Sequence, residues 1–179
     1  IFEVGLRGKT GVWLGWDVVY FDTDVENEII NIGDTSSFVG GDVLVNIDKT
    51  THKGVEAGAD VSLWPERFAR RGAALVLRNI YQYSNFRFTD ADPLRFVDGN
   101  RLAGIPTHHY RGELRYDAAE KWFIAMNMQL SAGAYYADHV NEVSVPTDPV
   151  FCLSAGRRLT DRAELFFNDA ATTEIYSVS

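Results

Sequence analysis

Residues 110–117 read YRGELRYD, and the order of these side chains decides the fold. Tyr110, Gly112, Leu114 and Tyr116 alternate with Arg111, Glu113, Arg115 and Asp117, one set apolar and the other fully charged. An extended strand separates the two sets onto opposite faces, whereas a helix would mix them around its circumference. The following segment repeats the design, with Trp122, Ile124, Met126, Met128 and Leu130 set against Asn127, Gln129 and Ser131. Upstream, Val55, Ala57, Ala59, Val61 and Leu63 alternate with Gly54, Glu56, Gly58, Asp60 and Ser62. Three strands with one wet and one apolar face make this an all-β, antiparallel protein.

Working outward, the same period appears in Phe2, Val4 and Leu6, in Val12, Leu14, Trp16, Val18 and Tyr20, and in Leu75, Leu77, Tyr81 and Tyr83. Asn79 falls on the apolar side of the last group. After Tyr83 the apolar phase shifts to Phe86 and Phe88, which predicts a bulge or the exit of the strand from its apolar surroundings. Strands from about Val150 to Arg158 and from Arg162 to about Phe167 bring the expected number to about eight. Connections alternate in length. Tight turns are expected at 8–11, 117–121 and 159–162, with a longer link on the same side at 64–72. Long polar connections are expected at 31–51, 89–106 and 138–149. Short on one side and long on the other is the arrangement of a bacterial outer-membrane barrel.

Composition narrows the classes. Four Trp, eight Tyr and eleven Phe beside fifteen Gly and five Pro favour strands. A net charge of −8 argues against a nucleic-acid partner, which requires clustered Lys and Arg that this sequence does not offer. Cys152 has no second cysteine with which to form a disulfide or metal site, and is expected to be a small buried or lipid-facing residue. No stretch reaches the roughly 20 apolar residues of a membrane helix, a measure to which barrel strands are invisible. Alternation alone also suits a soluble β-sandwich, including a carbohydrate-binding one, or a small structural or adhesive outer-membrane barrel. Strand lengths near the roughly 9–11 residues that cross a hydrocarbon band favour the membrane. So do aromatics near strand ends: Tyr110, Tyr116 and Trp122 around one hairpin, Tyr135 and Tyr136 at the far end of the next strand.

Three segments carry a family resemblance: NIDKTTHKGVEAGADVSL at 46–63, NRLAGIPTHHYRGELRY at 100–116 and RRLTDRAELFF at 157–167. They resemble, in order, the C-terminal part of the barrel of TonB-dependent outer-membrane receptors. The chain departs from that family after Phe167, where Asn168 to Tyr176 replace an Asn-Leu-x-Asp turn followed by Tyr, and no aromatic terminal strand follows. Nothing resembles the plug or the TonB-contacting segment. The resemblance implies that residues 1–179 are a partial transmembrane β-barrel domain of a larger barrel, about 22 strands in this family. Ile1 enters a strand almost at once, with no signal peptide ahead of it. It further implies localisation in the bacterial outer membrane and TonB-coupled import of a scarce nutrient such as a ferric siderophore. The implied partners are that ligand, outer-membrane lipid, and the TonB complex through the plug.

No catalysis or cofactor is expected, since no phosphate loop, HExxH, GxSxG or paired-Cys motif is present. His108 and His109 are strand neighbours, so their rings point to opposite faces and cannot share an ion. Thr89, Asp90 and Asp92 read as a solvated loop rather than a calcium site. Arg87, Arg101, His108, Tyr136 and His139 are the candidate ligand contacts, because cationic and aromatic side chains suit an oxygen-rich, anionic iron complex.

Overall fold

The computed structural model describes residues 1–31, 44–64, 73–90, 98–119, 121–160 and 163–172. Eight strands follow one another: β1 (Phe2–Thr10), β2 (Leu14–Asn31), β3 (Leu44–Trp64), β4 (Ala74–Asp90), β5 (His108–Asp117), β6 (Trp122–Ala132), β7 (Val150–Thr160) and β8 (Ala163–Thr172). Each pairs antiparallel with the next, so one open sheet runs in chain order from β1 to β8.

Register converts the alternation into rows that cross the sheet. Val61, Leu77, Leu114, Met126 and Leu153 are successive partners on one face. One residue along, Asp60, Arg78, Glu113, Asn127 and Cys152 form the corresponding row of the other face. Within it Arg78 lies 2.9 Å from Glu113 and 3.9 Å from Asp60. Cys152 therefore belongs to the polar face and is partly exposed, against the expectation of a small buried or lipid-facing residue. Arg7, Lys9, Asp17 and Asp60 line an open hollow of about 940 Å³, so the sheet curls toward its polar side. Glycine permits close approach at Gly54, where a Cβ would run into the Tyr83 carbonyl oxygen and the Phe21 ring.

The convex face is bare. Leu6, Val18, Ile124, Met126 and Leu153 are between 42% and 72% exposed, and among the described residues no second layer covers them. Continuous apolar rows of this extent are what lipid, not water, would cover. Asn79 is the exception, and its polarity is satisfied within the face. Tyr110 Oη donates to Asn79 Oδ1 at 2.6 Å, and Asn79 Nδ2 donates to the Ala59 carbonyl at 3.3 Å. Gly112, directly opposite Asn79, leaves room for the Tyr110 ring to lean across. A Cβ there would meet the Tyr110 hydroxyl at 2.7 Å.

Beyond Tyr83 the polarity of the two faces inverts. On the convex side the apolar rows give way to Asp22, Lys53 and Asn85, successive partners, and then to Asp24, Thr51 and Arg87. Lys53 pairs with Asp22 at 2.9 Å and Lys49 with Asp24 at 3.2 Å. On the concave side Phe21 meets Phe86 edge-on, and the His52 ring stacks on Phe86 at 4.4 Å. Above them Ile30, Ile47, Phe88 and Leu102 form a buried cluster joined by Phe86 and Ile105. Outside hydrocarbon the charged face can turn to water and the apolar face must find a core. Asn27, at φ 58°, interrupts the alternation of β2. Glu28 then accepts a hydrogen bond from Thr50 and lies 3.2 Å from His52 Nε2, both residues of the concave side.

Several boundaries differ from expectation. The first turn is 11–13, not 8–11, because Gly8 is paired with Trp16 and Thr10 with Leu14. Gly11, at φ 58°, starts the turn. The connection expected over 31–51 is shorter, since β3 already begins at Leu44. Pairing of β3 with β4 runs unbroken from Thr51 opposite Arg87 to Ser62 opposite Val76. The phase shift after Tyr83 is thus the change of surroundings, while the register shift itself comes at Lys49/Thr50. Strand β6 stops at Ala132, so Tyr135 and Tyr136 lie past its end. Residues 65–72 of one expected link, 91–97 of another, 161–162 of the last turn and 173–176 fall outside the described residues.

Candidate functional site

The two connections on the side of the long strand ends build one structure. Segment 98–107 lies along the end of β4. Phe88 N donates to Asn100 O at 3.0 Å, Gly99 N to Phe88 O at 2.9 Å, and Leu102 N to Phe86 O at 3.1 Å. Ser84 N then donates to Thr107 O at 2.9 Å, so residues 103–106 are extra and bulge outward. Gly104, at φ 79°, makes that bulge. Connection 133–149 closes over the other flank: Thr107 N donates to Ala134 O at 3.1 Å and Gly104 N to Tyr136 O at 2.9 Å.

Side-chain amides fasten the two segments. Asn141 imitates a strand, its Oδ1 accepting from Arg101 N at 2.8 Å and its Nδ2 donating to Arg101 O at 2.9 Å. Asn100 Nδ2 donates to the carbonyls of His139 and Val140. Asp138 accepts from the backbone of Val143 at 2.7 Å and of Glu142 at 3.1 Å. Burial pushes the Asp138 carboxyl up, but these amide donors outweigh it and hold the group below the ordinary carboxylate value.

Four of the five expected ligand residues fall in this assembly. Arg87 and Arg101 are paired across the backbone, and both guanidinium groups reach Asn85 Oδ1, from Arg87 Nε at 2.8 Å and Arg101 Nη1 at 3.3 Å. Arg87 also donates to the Gly99 carbonyl, and Arg101 Nη2 to the Ser84 carbonyl at 2.5 Å. Arg101 is buried, and among the described residues its Nε has no hydrogen-bond partner. Burial, then the neighbouring Arg87 charge, lowers its proton affinity from the usual arginine value, though a guanidinium stays charged. His139 accepts from Ala103 N at Nδ1, 3.0 Å away, which leaves Nε2 as the protonated nitrogen. Its ring stands edge-on to Phe88 at 5.5 Å. Tyr136 bridges to Ser144 through its backbone.

His108 is apart from these. Its Nδ1 lies 2.8 Å from the Tyr81 hydroxyl, and its ring 5.4 Å from that of Tyr83, on the convex face. His109 faces the concave side, beside Ser131. Asp90 ends β4 and Asp92 lies outside the described residues. Among the described residues no group of three His, Cys, Asp or Glu could hold a metal ion.

The sequence reading passed over His52, Asn85 and Asn141. Extending the alternation back from Val55 would have put His52 on the polar face with Gly54 and Glu56. No periodic signal marks Asn85 or Asn141, whose roles depend on chain segments far away in sequence. In comparison with known families, the family model described as "TonB dependent receptor-like, beta-barrel" matches residues 2–173. No curated protein matches the chain.

Proposed function

Because the chain belongs to the TonB-dependent receptors, as part of their β-barrel, we propose that it takes up a ferric siderophore by TonB-coupled import. Members of this family are receptors and transporters of the bacterial outer membrane, not enzymes. The observation that carries the reading toward a ligand is the clasp of 98–107 and 133–149 over the concave end of β2–β4. It brings the His139 ring to Phe88, in the same inward-facing group as the His52–Phe86 stack. Histidine and aromatic faces at a barrel mouth suit an oxygen-rich iron complex. We assign ligand contact to His139 and His52. Arg87, Arg101 and His108, whose side chains share the convex side with Tyr83, are left out of the ligand's path.

In this reading the eight strands are an arc of a larger barrel whose plug, with its TonB contacts, lies outside residues 1–179. Edge strands β1 and β8 pair with further strands, since open edges in hydrocarbon would leave backbone groups unpaired at several kcal/mol each. The test is uptake by iron-starved cells that express the full receptor and lack other iron importers. Radiolabelled ferric catecholate, hydroxamate and citrate complexes are supplied in turn, with cobalamin and haem as competitors. Accumulation of iron that requires TonB and falls in His139→Ala is the expected result. Import of cobalamin in place of iron, or iron uptake indifferent to TonB, would refute the assignment.

A further inference from the structure

We propose that Arg87, backed by Arg101, forms on the outward face of the barrel wall a binding site for the phosphate group of an outer-leaflet lipid. The inference rests on the outer-membrane reading above and adds a second partner at a different surface.

Direction comes from register. Arg87 is opposite Thr51, Asn85 opposite Lys53 and Tyr83 opposite Val55, so Arg87 projects from the same face as Tyr83, Tyr81 and Leu77. That face is the one whose lower rows are apolar and bare. Height comes from the aromatics. Tyr81, Tyr83, Tyr110 and His108 gather where the apolar rows end, the level at which amphipathic rings meet headgroups. Arg87 stands two rows above Tyr83 on that face, at the depth where lipid phosphates lie.

Charge selects this pair among the cations of the rim. Lys53 and Lys49 are matched by Asp22 and Asp24. Among the described residues, neither Arg87 nor Arg101 has a carboxylate within ion-pair distance. Both instead crowd one neutral acceptor, Asn85 Oδ1. Two adjacent guanidinium groups, one 9% exposed with an Nε that has no partner among the described residues, leave a positive potential that an anion would relieve. Arg87 is only half-buried, and its bonds to Asn85 and Gly99 engage Nε and Nη1, leaving Nη2 for a ligand. A phosphate oxygen is the acceptor that guanidinium geometry favours. A siderophore in the lumen would approach from the opposite side of the wall.

The test uses the full receptor purified from outer membranes in mild detergent, as wild type, Arg87→Gln, Arg87→Lys and Lys53→Gln. Native mass spectrometry reads retained lipid, and nanodiscs carrying a bisphosphorylated glycolipid or its dephosphorylated form give affinities. Loss of one charge-assisted contact in Arg87→Gln should weaken retention of the phosphorylated lipid about tenfold. Arg87→Lys should lose less, and Lys53→Gln, whose charge Asp22 already matches, should change little. Equal retention by wild type and Arg87→Gln would overturn the proposal, as would equal binding of the two lipid forms or equal affinity for inorganic phosphate in solution. Heat-modifiable migration of each preparation scores barrel insertion separately. A wild-type chain that does not insert would overturn the membrane reading itself, whereas inserted protein without phosphate preference would overturn the lipid site alone.

Discussion

Replacing Tyr110 by Phe removes one oxygen from the lipid-facing surface and should nonetheless destabilise the barrel. The ring would still cover Gly112, so the apolar contact is unchanged and the difference isolates the hydroxyl. In the native protein that hydroxyl donates at 2.6 Å to Asn79 Oδ1, a well-formed bond, while the other bond of Asn79, to Ala59 O at 3.3 Å, is long. Asn79 lies one row below Tyr110 on the lipid side, so its Oδ1 would lose its protein donor with only lipid beside it. An unsatisfied buried acceptor costs about 1–3 kcal/mol, and polar pairs measured in membranes fall between about 0.6 and 2 kcal/mol. About 1–2 kcal/mol is therefore expected for Tyr110→Phe. Asn79→Leu removes the need for the bond and should be neutral or stabilising, and Tyr110→Phe in that background should then cost little. Gly112→Ala, by placing a methyl 2.7 Å from the Tyr110 hydroxyl, should displace the ring and cost at least as much as Tyr110→Phe. The assay is reversible urea unfolding of the full receptor in lipid vesicles, followed by tryptophan fluorescence and analysed as a double-mutant cycle. If the Tyr110→Phe and Asn79→Leu effects simply add, the hydroxyl and the amide are uncoupled and the reasoning fails.

Three further outcomes are expected. Arginine at Met126 should cost about 2–4 kcal/mol if it lies near the midplane, whereas arginine at Asn127 should be mild; equal quenching of probes at both positions by lipid-borne quenchers would contradict the assignment of faces. With Cys152 replaced by Ser, a membrane-impermeant maleimide on intact cells should label Val140→Cys in a long connection and spare Ala119→Cys in the β5–β6 turn; the reverse would invert the topology. The Asp138 carboxyl is held below its ordinary value of 3.8, so its stabilisation of connection 133–149 is complete above that value and disappears as pH falls through the lower folded value. Hydrogen exchange at Glu142 and Val143 should accelerate across that acidic window in the wild type and not in Asp138→Asn.

Strands β5 and β6 and the lower half of β3 were legible because lipid on one side and a polar interior on the other impose period 2, broken in β6 only where Phe123 and Ala125 stand on the polar side. Where that contrast ends, so does the legibility. Residues 44–51 form paired strand but were expected in a connection, and the alternation was followed in β2 only as far as Tyr20, because outside hydrocarbon the charged and apolar faces exchange places and Asn27 breaks the alternation. Asn79 read as a misplaced polar residue since its partner, Tyr110, is 31 positions away. The candidate site was visible only as residue types. Which residues gather there depends on Asn85, Asn100 and Asn141, short amides whose bonds reach backbone or arginine 16 to 40 positions away as well as two or three positions away, and such contacts leave no periodic trace.

The inversion of polarity above Tyr83 fixes the vertical position of the wall in the bilayer. β2 has 18 residues and β3 has 21, so at roughly 3.3 Å per residue each is about 60–70 Å long, far more than an apolar band about 25 Å tall requires even when tilted. A strand of constant pattern would let the membrane ride anywhere along that length. Here, sliding the sheet inward by two residues keeps every side chain on its own face but draws Asp22, Lys53 and Asn85 into hydrocarbon. Sliding it outward by two carries an apolar row into water. The charged row of the convex side thus acts as a stop against sinking and the aromatic row beneath it as a stop against rising, which holds the mouth formed by 98–107 and 133–149 at a constant height above the lipid.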